Sequence, residues 1–256
     1  MKAKKSLGQN FLIDNNIILN IVNSIDANED DLIIEIGPGM GALTKHLNNK
    51  NSKLICYEID TELKIYLNKY ESDKVKIIYK DILNSNIKDD IKDIKYNKLY
   101  IVGNLPYYIT TPIIKKIISE DLDIEAMYFM VQEEVADRYS SLPGNKDYGN
   151  ITLYLQYYFN VKKLFKVSKK CFNPVPKVES AVLEFKKRII KPEVNKDKYF
   201  KLINDSFKMK RKTLKNNLQD YDFKKIEEVL NKNNLENTVR AEELSEEVFV
   251  DISNTI

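Results

Sequence analysis

The chain has 256 residues, 43% apolar and 31% charged, enough to bury a sizeable core in one large domain or in one plus a small one, and not a disordered composition. One histidine (His46) and two cysteines (Cys56, Cys171) cannot furnish the four ligands of a structural zinc site, so no metal site is expected. The net charge of +3 hides a basic block: residues 162–215 hold 18 Lys/Arg against five Asp/Glu, while residues 216–256 hold four against ten. Such a block suits either a polyanionic partner or a solvated lysine-rich surface. No stretch approaches the ~18–20 apolar residues of a membrane span. The lysines at the start are followed only by Phe11-Leu12-Ile13 before Asp14, too short for a signal peptide, so a cytoplasmic protein is expected. His46 falls on an expected exposed helix, a poor place for a triad base, and Cys56 sits in an apolar strand pattern as a small buried hydrophobe.

In chain order, Leu32-Ile33-Ile34-Glu35-Ile36 is a short β-rich run ending at Gly37, and a helix opens over 41–48. Further strands are expected at Leu54–Tyr57, Val75–Tyr79, Leu99–Val102 and Ala126–Val131, with helical periodicity over Thr61–Lys69 and Pro112–Ser119. This alternation predicts parallel strands joined by crossovers, a doubly wound α/β sheet. Residues 147–159 read as a helix and Ala181–Phe185 as a strand. Lys186-Lys187-Arg188-Ile189-Ile190-Lys191-Pro192 is a basic connector with a helix-breaking proline. Beyond it only helical periodicity remains, over 198–218, 222–231 and 245–252. The expected organisation is an α/β domain over 1–188 and a small all-α domain over 189–256.

Glu35-Ile36-Gly37-Pro38-Gly39-Met40-Gly41 lies between the first of these strands and its helix, where glycines let a ligand approach the backbone at a helix N-terminus. With Ala42 it also fits a dinucleotide fingerprint, so a nicotinamide enzyme stays open. Glu58 ends the second strand, placed to accept hydrogen bonds from ribose hydroxyls, which NAD and S-adenosylmethionine both present. Asp81, just after the third, can accept from an adenine amine or simply be solvated. Three such sites at successive strand ends point to a nucleoside cofactor.

After the fourth strand comes Gly103-Asn104-Leu105-Pro106-Tyr107-Tyr108, which resembles the Asn-Leu-Pro-Tyr motif of amino-methyltransferases acting on nucleic-acid bases. An exocyclic adenine amine is a poor nucleophile because its lone pair is delocalised into the ring. It needs acceptors on both N–H bonds: the Asn104 side-chain carbonyl can be one and the Leu105 main-chain carbonyl the other. Pro106 stiffens the turn and Tyr107 can stack on the base. No general base is required, because positioning for in-line transfer is the main task. The same four residues could be an ordinary β-turn. In Cys171-Phe172-Asn173-Pro174-Val175-Pro176-Lys177-Val178-Glu179-Ser180 the two prolines predict a stiff extended loop. That loop would hold Phe172 outside the core as a second stacking platform; a phenylalanine anchoring it onto the sheet is the alternative.

Together these motifs resemble the ribosomal RNA adenine N6,N6-dimethyltransferase family. The resemblance extends through Leu7–Leu12, Gln132–Arg138, Arg211–Leu214 and Arg240–Leu244. It implies a Rossmann-like class I fold with S-adenosylmethionine as cofactor, covered by an N-terminal segment over 1–30. Asn10 and Leu12 would cover that cofactor, Gly37 would meet its methionine end (Gly39 being the second glycine of the same turn), Glu58 its ribose and Asp81 its adenine. Asn104 would touch both cofactor and target amine. A basic helix carrying Lys208, Lys210, Arg211, Lys212 and Lys215 would track RNA phosphates. Arg240–Ser245 and the Asn-Leu-Pro-Tyr form favour the branch that dimethylates two adjacent adenosines in small-subunit (16S) ribosomal RNA, within the small ribosomal subunit or its precursor, as a monomer. The large-subunit (23S) resistance branch and a non-catalytic assembly factor are the alternatives. Ile109-Thr110-Thr111 and Asn150-Ile151-Thr152 depart from the family pattern, the latter at a possible RNA contact.

Overall fold

The computed structural model describes Lys4 and residues 7–256. The chain divides into two units, Met1–Ala136 with Lys162–Lys187, and Asp137–Val161 with Arg188–Ile256. In the first lie β1 (Phe11–Leu12), α1 (Asn15–Ser24), β2 (Leu32–Ile36), α2 (Thr44–Leu47), β3 (Lys53–Glu58), α3 (Lys64–Leu67), β4 (Val75–Tyr79), α4 (Ile87–Ile91), β5 (Leu99–Asn104), α5 (Thr110–Ser119) and β6 (Ile124–Gln132). They are followed by α6 (Glu133–Tyr139), α7 (Asn150–Tyr158), β7 (Phe159–Val167), β8 (Phe172–Asn173) and β9 (Ser180–Lys187). The main sheet has the order β4-β3-β2-β5-β6-β9-β7. The strands from β4 to β6 are parallel, and β9 runs antiparallel to β6. β2 is buried along its whole length and β5 from Leu99 to Gly103, which is why they read as near-continuous apolar runs with Glu35 the one charged residue. The chain winds outward from β2 through β3 to β4, then returns to place β5 on the other side of β2. The carboxyl ends of β2 and β5 therefore flank a topological switch point, where open α/β sheets bind ligands.

The expected strands are all present, but β7 is not among them. Its sequence, Phe159-Asn160-Val161-Lys162-Lys163-Leu164-Phe165-Lys166-Val167, is lysine-rich because it is an edge strand, where charge blocks further pairing and obscures the apolar signal. A two-stranded ladder, β1 with β8, was likewise outside the sequence expectation. It pairs Phe11 with Asn173 and Leu12 with Phe172, fastening the N-terminal segment to the proline loop.

The second unit is helical: α7, α8 (Lys196–Ser206), α9 (Leu214–Asn217), α10 (Phe223–Lys232) and α11 (Glu246–Thr255). Residues 137–161 belong with it, although the sequence places them in a domain over 1–188. The reason is packing: Tyr148, Leu153 and Tyr157 join Tyr199, Leu202, Leu230 and Phe249 in one apolar cluster. Arg188 reinforces the same unit, donating to the Gln156 carbonyl at 2.8 Å and to the Glu246 carboxylate at 2.6 Å.

The continuous helix expected over 198–218 is broken. α8 stops at Ser206, and residues 207–213 form an irregular basic turn. Asn217 accepts from the Met209 N–H at 2.9 Å and donates to the Met209 carbonyl at 3.2 Å, offering the backbone partners that compete with the helix. Asp205 draws the turn back as well, pairing with Lys201 and with Lys208 at 2.8 Å and accepting from Tyr221 at 2.7 Å.

Candidate active site

The crevice at the switch point is a single pocket bounded by the N-terminal segment, the turn after β2, the ends of β3 and β4, and the turn after β5. Of the expected site residues, Asn10, Leu12, Gly37, Gly39, Glu58, Asp81, Asn104, Leu105, Pro106 and Tyr107 all line it. They come from five separate stretches of chain, brought together because parallel strands present their carboxyl ends on one side.

The turn after β2 needs its glycines for space as well as conformation. Gly39 has φ +60°, and a Cβ there would lie 3.1 Å from the Phe11 ring, which packs directly on it. The Gly39 N–H donates to Glu58 at 3.0 Å, and the Asp60 N–H donates to the other Glu58 oxygen at 2.8 Å. Glu58 is only 4% exposed. Burial pushes its carboxyl above the usual range, while the Asp60 and Gly39 hydrogen bonds pull it back. Asp81 caps the short turn after β4, accepting from the Leu83 N–H at 3.0 Å and from the Asn84 side chain at 3.2 Å. Beneath the first turn, Glu35 accepts from the Thr44 hydroxyl at 2.7 Å and from the Cys56 thiol. Burial raises its carboxyl to about 7; the Thr44 and Cys56 hydrogen bonds oppose this and nearby Glu58 adds to it.

At the end of β5, Gly103 allows close approach of β2: a Cβ there would stand 2.7 Å from the Ile36 carbonyl oxygen and 2.9 Å from Leu105. Asn104 donates its side-chain N–H to the Asn10 carbonyl at 3.0 Å. That bond decides which end of the amide is committed, and the side-chain carbonyl Oδ1 is the end that remains. Leu105 is buried, so its backbone rather than its side chain is what it can offer a ligand. The Pro106 carbonyl accepts from the Ile109 N–H at 3.1 Å and from the Thr110 hydroxyl at 3.3 Å, which locks the turn. The Tyr107 hydroxyl shares a 2.7 Å hydrogen bond with the Ser180 hydroxyl, and burial raises its pKa.

Phe172 is not in the pocket. It is 1% exposed and sits in the apolar cluster with Leu12, Ile18, Val167 and Val182, because pairing with Leu12 across the β1–β8 ladder turns it into the core. The proline loop exposes Val175 and Val178 instead, and the exposed aromatic at the pocket is Tyr108, 63% accessible. Lys208, Lys210, Arg211, Lys212 and Lys215 are all exposed, the first four in the irregular turn of the second unit and Lys215 on the short helix α9, rather than along one continuous helix. Lys208 is ion-paired with Asp205, Lys210 donates to the Lys146 carbonyl, and Lys215 lies 5.3 Å over the Phe223 ring.

Other features in and beside the pocket were given no role by the sequence, although Glu58-Ile59-Asp60 is one of the stretches that resemble the family. Ile59 and Ile82 flank Glu58 and Asp81 with apolar surface suited to a flat ring. The Asp60 carboxylate accepts from Lys4 at 2.7 Å and Gln9 at 2.9 Å. Burial works to raise the Asp60 pKa, but the Lys4 and Gln9 hydrogen bonds outweigh it and hold the carboxyl below its ordinary value. The only sequence hint was an acidic residue two positions after Glu58.

The profile of the family described as ribosomal RNA adenine dimethylase matches residues 1–256. The chain belongs to the ribosomal RNA adenine dimethylase family. As a member of that family it is a methyltransferase, and the class I methyltransferase fold implies S-adenosylmethionine as methyl donor. The ribosomal RNA small subunit methyltransferase A of Bacillus pumilus (strain SAFR-032) is 41% identical over 268 residues, covering 99% of this chain and 91% of that protein. Its counterpart in Pediococcus pentosaceus is 38% identical over 269 residues, covering 100% and 90%. In fold, the chain is similar to a dimethyladenosine transferase from Plasmodium falciparum, with a TM-score of 0.80 at 23% identity over 94% of this chain and 95% of that one. It is also similar to the 23S rRNA methyltransferase ErmE, with a TM-score of 0.76 at 23% identity over 96% and 99%.

The pocket fits the methyl donor that this family implies. Two carboxylates at successive strand ends can accept from ribose hydroxyls and an adenine amine, apolar Ile59 and Ile82 lie beside them, and the side-chain-free turn at Gly37 and Gly39 leaves room for a chain against the backbone.

Proposed function

We propose that this chain dimethylates the N6 amines of two adjacent adenosines in the 3′-terminal hairpin loop of small-subunit (16S) ribosomal RNA. It would act in the cytoplasm, as a monomer, on the small ribosomal subunit or its precursor during subunit biogenesis. The observation that carries the chemistry is the Asn104 amide, its nitrogen committed to the Asn10 carbonyl at 3.0 Å beside Tyr107 in the pocket. The choice of subunit is supported by relatives 38–41% identical over nearly the whole chain that carry the small-subunit name. The likeness to ErmE, at 23% identity, is one of fold and gives the large-subunit reading no comparable support.

S-adenosylmethionine, when bound, supplies an electrophilic methyl group on a sulfonium. Glu58 would hold its ribose, Asp81 its adenine, the Gly37–Gly39 turn its methionine end, with Asn10 and Leu12 covering it. The Asn104 Oδ1 accepts one N–H of the target amine and the Leu105 carbonyl the other. Together they draw the nitrogen toward a tetrahedral geometry with its lone pair toward the methyl. The released proton goes to solvent, so no side chain must act as a general base. Tyr107, held by Ser180, offers one ring face to the extruded base, worth about 1–3 kcal/mol against the loss of stacking in the RNA. The exposed turn with Lys210, Arg211 and Lys212 contacts phosphates.

The test is tritium transfer from labelled S-adenosylmethionine to undermethylated small and large subunits. Label recovered as dimethyladenosine in small-subunit RNA is the expected result. Label confined to the large subunit overturns the choice of subunit, and no label with cofactor still bound leaves an assembly factor.

A further inference from the structure

The N-terminal segment from Leu7 to Leu12 is a strap along one wall of the pocket, and the structure gives it two anchors. Downstream, Phe11 and Leu12 pair with Phe172 and Asn173, and the Phe11 ring rests on Gly39. Upstream, Lys4 and Gln9 both reach the Asp60 carboxylate, and Lys4 also pairs with the exposed Glu62 at 3.0 Å. Asp60 accepts from the Gln9 side chain at 2.9 Å and from Lys4 Nζ at 2.7 Å, while Gln9 in turn accepts from the Lys4 backbone N–H at 2.8 Å. Asp60 is 3% exposed, so these are hydrogen bonds in a largely water-excluded place. Within its own turn the Asp60 carboxylate accepts only from the Glu62 N–H at 3.1 Å, while its backbone carbonyl accepts from the Leu63 N–H at 3.0 Å.

Between the two anchors lies Asn10, whose carbonyl accepts the Asn104 amide. We propose that Asp60 is a positioning residue for methyl transfer: by clamping Gln9 and Lys4 it fixes the strap, and the strap's Asn10 carbonyl fixes the Asn104 amide with Oδ1 toward the target amine. The proposal rests on the role given to Asn104 above. Asp60 also reaches the cofactor side, since its backbone N–H donates to Glu58 at 2.8 Å. Asp60 thus joins a strand-end carboxylate expected to hold ribose to the strap that orients the amine acceptor. The hold of Glu58 on a ribose and the order of the strap are coupled through one residue.

A double replacement separates this from a purely local role. Gln9→Glu sets a carboxylate against the Asp60 carboxylate, and like charges so placed repel, so single-turnover methyl transfer to undermethylated small subunits is expected to slow about tenfold. Affinity for S-adenosylhomocysteine, measured by calorimetry, should fall by a similar factor. Adding Asp60→Asn supplies an amide donor to the carboxylate introduced at position 9 and reverses the polarity of the bond. The pair Gln9→Glu/Asp60→Asn is then expected to return to within about threefold of wild type in both readouts, as a restored hydrogen-bonded pair should. A merely structural Asp60, needed only for its turn, would gain nothing from a change at residue 9. A double variant no better than Gln9→Glu alone, or a Gln9→Glu protein indistinguishable from wild type, overturns the proposal. If wild type itself transfers no methyl to small subunits, the assigned reaction fails, while the calorimetric arm still decides whether the clamp exists.

Discussion

Replacing Glu35 with glutamine should make the protein more stable at pH 8 and leave it about as stable at pH 5. Glu35 is 1% exposed on the central strand β2, where it accepts from the Thr44 hydroxyl and the Cys56 thiol, with a smaller contribution from the Thr44 backbone N–H. Its carboxyl titrates near 7 in the folded protein against an ordinary value of 4.5. Between those two pH values the folded state keeps a proton that the unfolded chain has released, so stability falls as pH rises through this window and levels off above about 7. The gap from 4.5 to about 7 corresponds to roughly 3 kcal/mol at ~1.4 kcal/mol per pH unit. Glutamine has no ionised form to bury, and its Oε1 can still accept from Thr44. The variant should therefore gain up to roughly 3 kcal/mol over wild type at pH 8, with the difference closing toward pH 5. Urea unfolding followed by far-UV circular dichroism at pH 5, 6, 7 and 8 measures it. A wild-type-minus-variant difference that is the same at pH 5 and pH 8 would refute the reasoning, because a pH-independent difference reports packing and not the charge.

The other expectations concern the site and its supports. Asn104→Ala removes the acceptor committed to the target amine, and methyl transfer to small-subunit RNA should fall by about 10²–10³-fold, the usual cost of losing one preorganised polar partner. S-adenosylhomocysteine should still bind, and near-normal turnover would move the chemistry elsewhere. Gly103→Ala places a methyl 2.7 Å from the Ile36 carbonyl, so β2 and β5 must part. A loss of about 1–3 kcal/mol in denaturant unfolding, with weakened cofactor binding, is expected, and an unaffected midpoint would contradict the geometry. Changing Lys210, Arg211 and Lys212 together to glutamine should weaken RNA binding and flatten the log–log salt dependence by about 2–3, with cofactor affinity unchanged. An unchanged slope would place the phosphate contacts elsewhere.

The sequence alone determined the alternation of most strands with helices in the first unit and which residues stand at the strand ends. Parallel strands buried on both faces leave near-continuous apolar runs, as in Leu32–Ile34 and Leu99–Val102, and a ligand turn at a strand end needs residues such as Gly37, Glu58 and Asn104 whose types announce their chemistry. What lay beyond it depended on partners distant in the chain. Phe172 looked like a stacking platform because two prolines surround Val175, yet its pairing with Leu12 turns it into the core. The basic stretch from Lys208 to Lys215 has helical periodicity, but Asn217 and Asp205 supply competing partners that break it. Residues 137–161 carry no boundary signal, since their allegiance is set by Tyr148 and Tyr157 packing with Tyr199 and Phe249. Asp60 shows in the sequence only as an acid two positions after Glu58, and its role depends on the fold bringing Lys4 and Gln9 to it. Local periodicity records which face of an element is buried, whereas the identity of the group on the other side of a contact is fixed only when the chain has closed on itself.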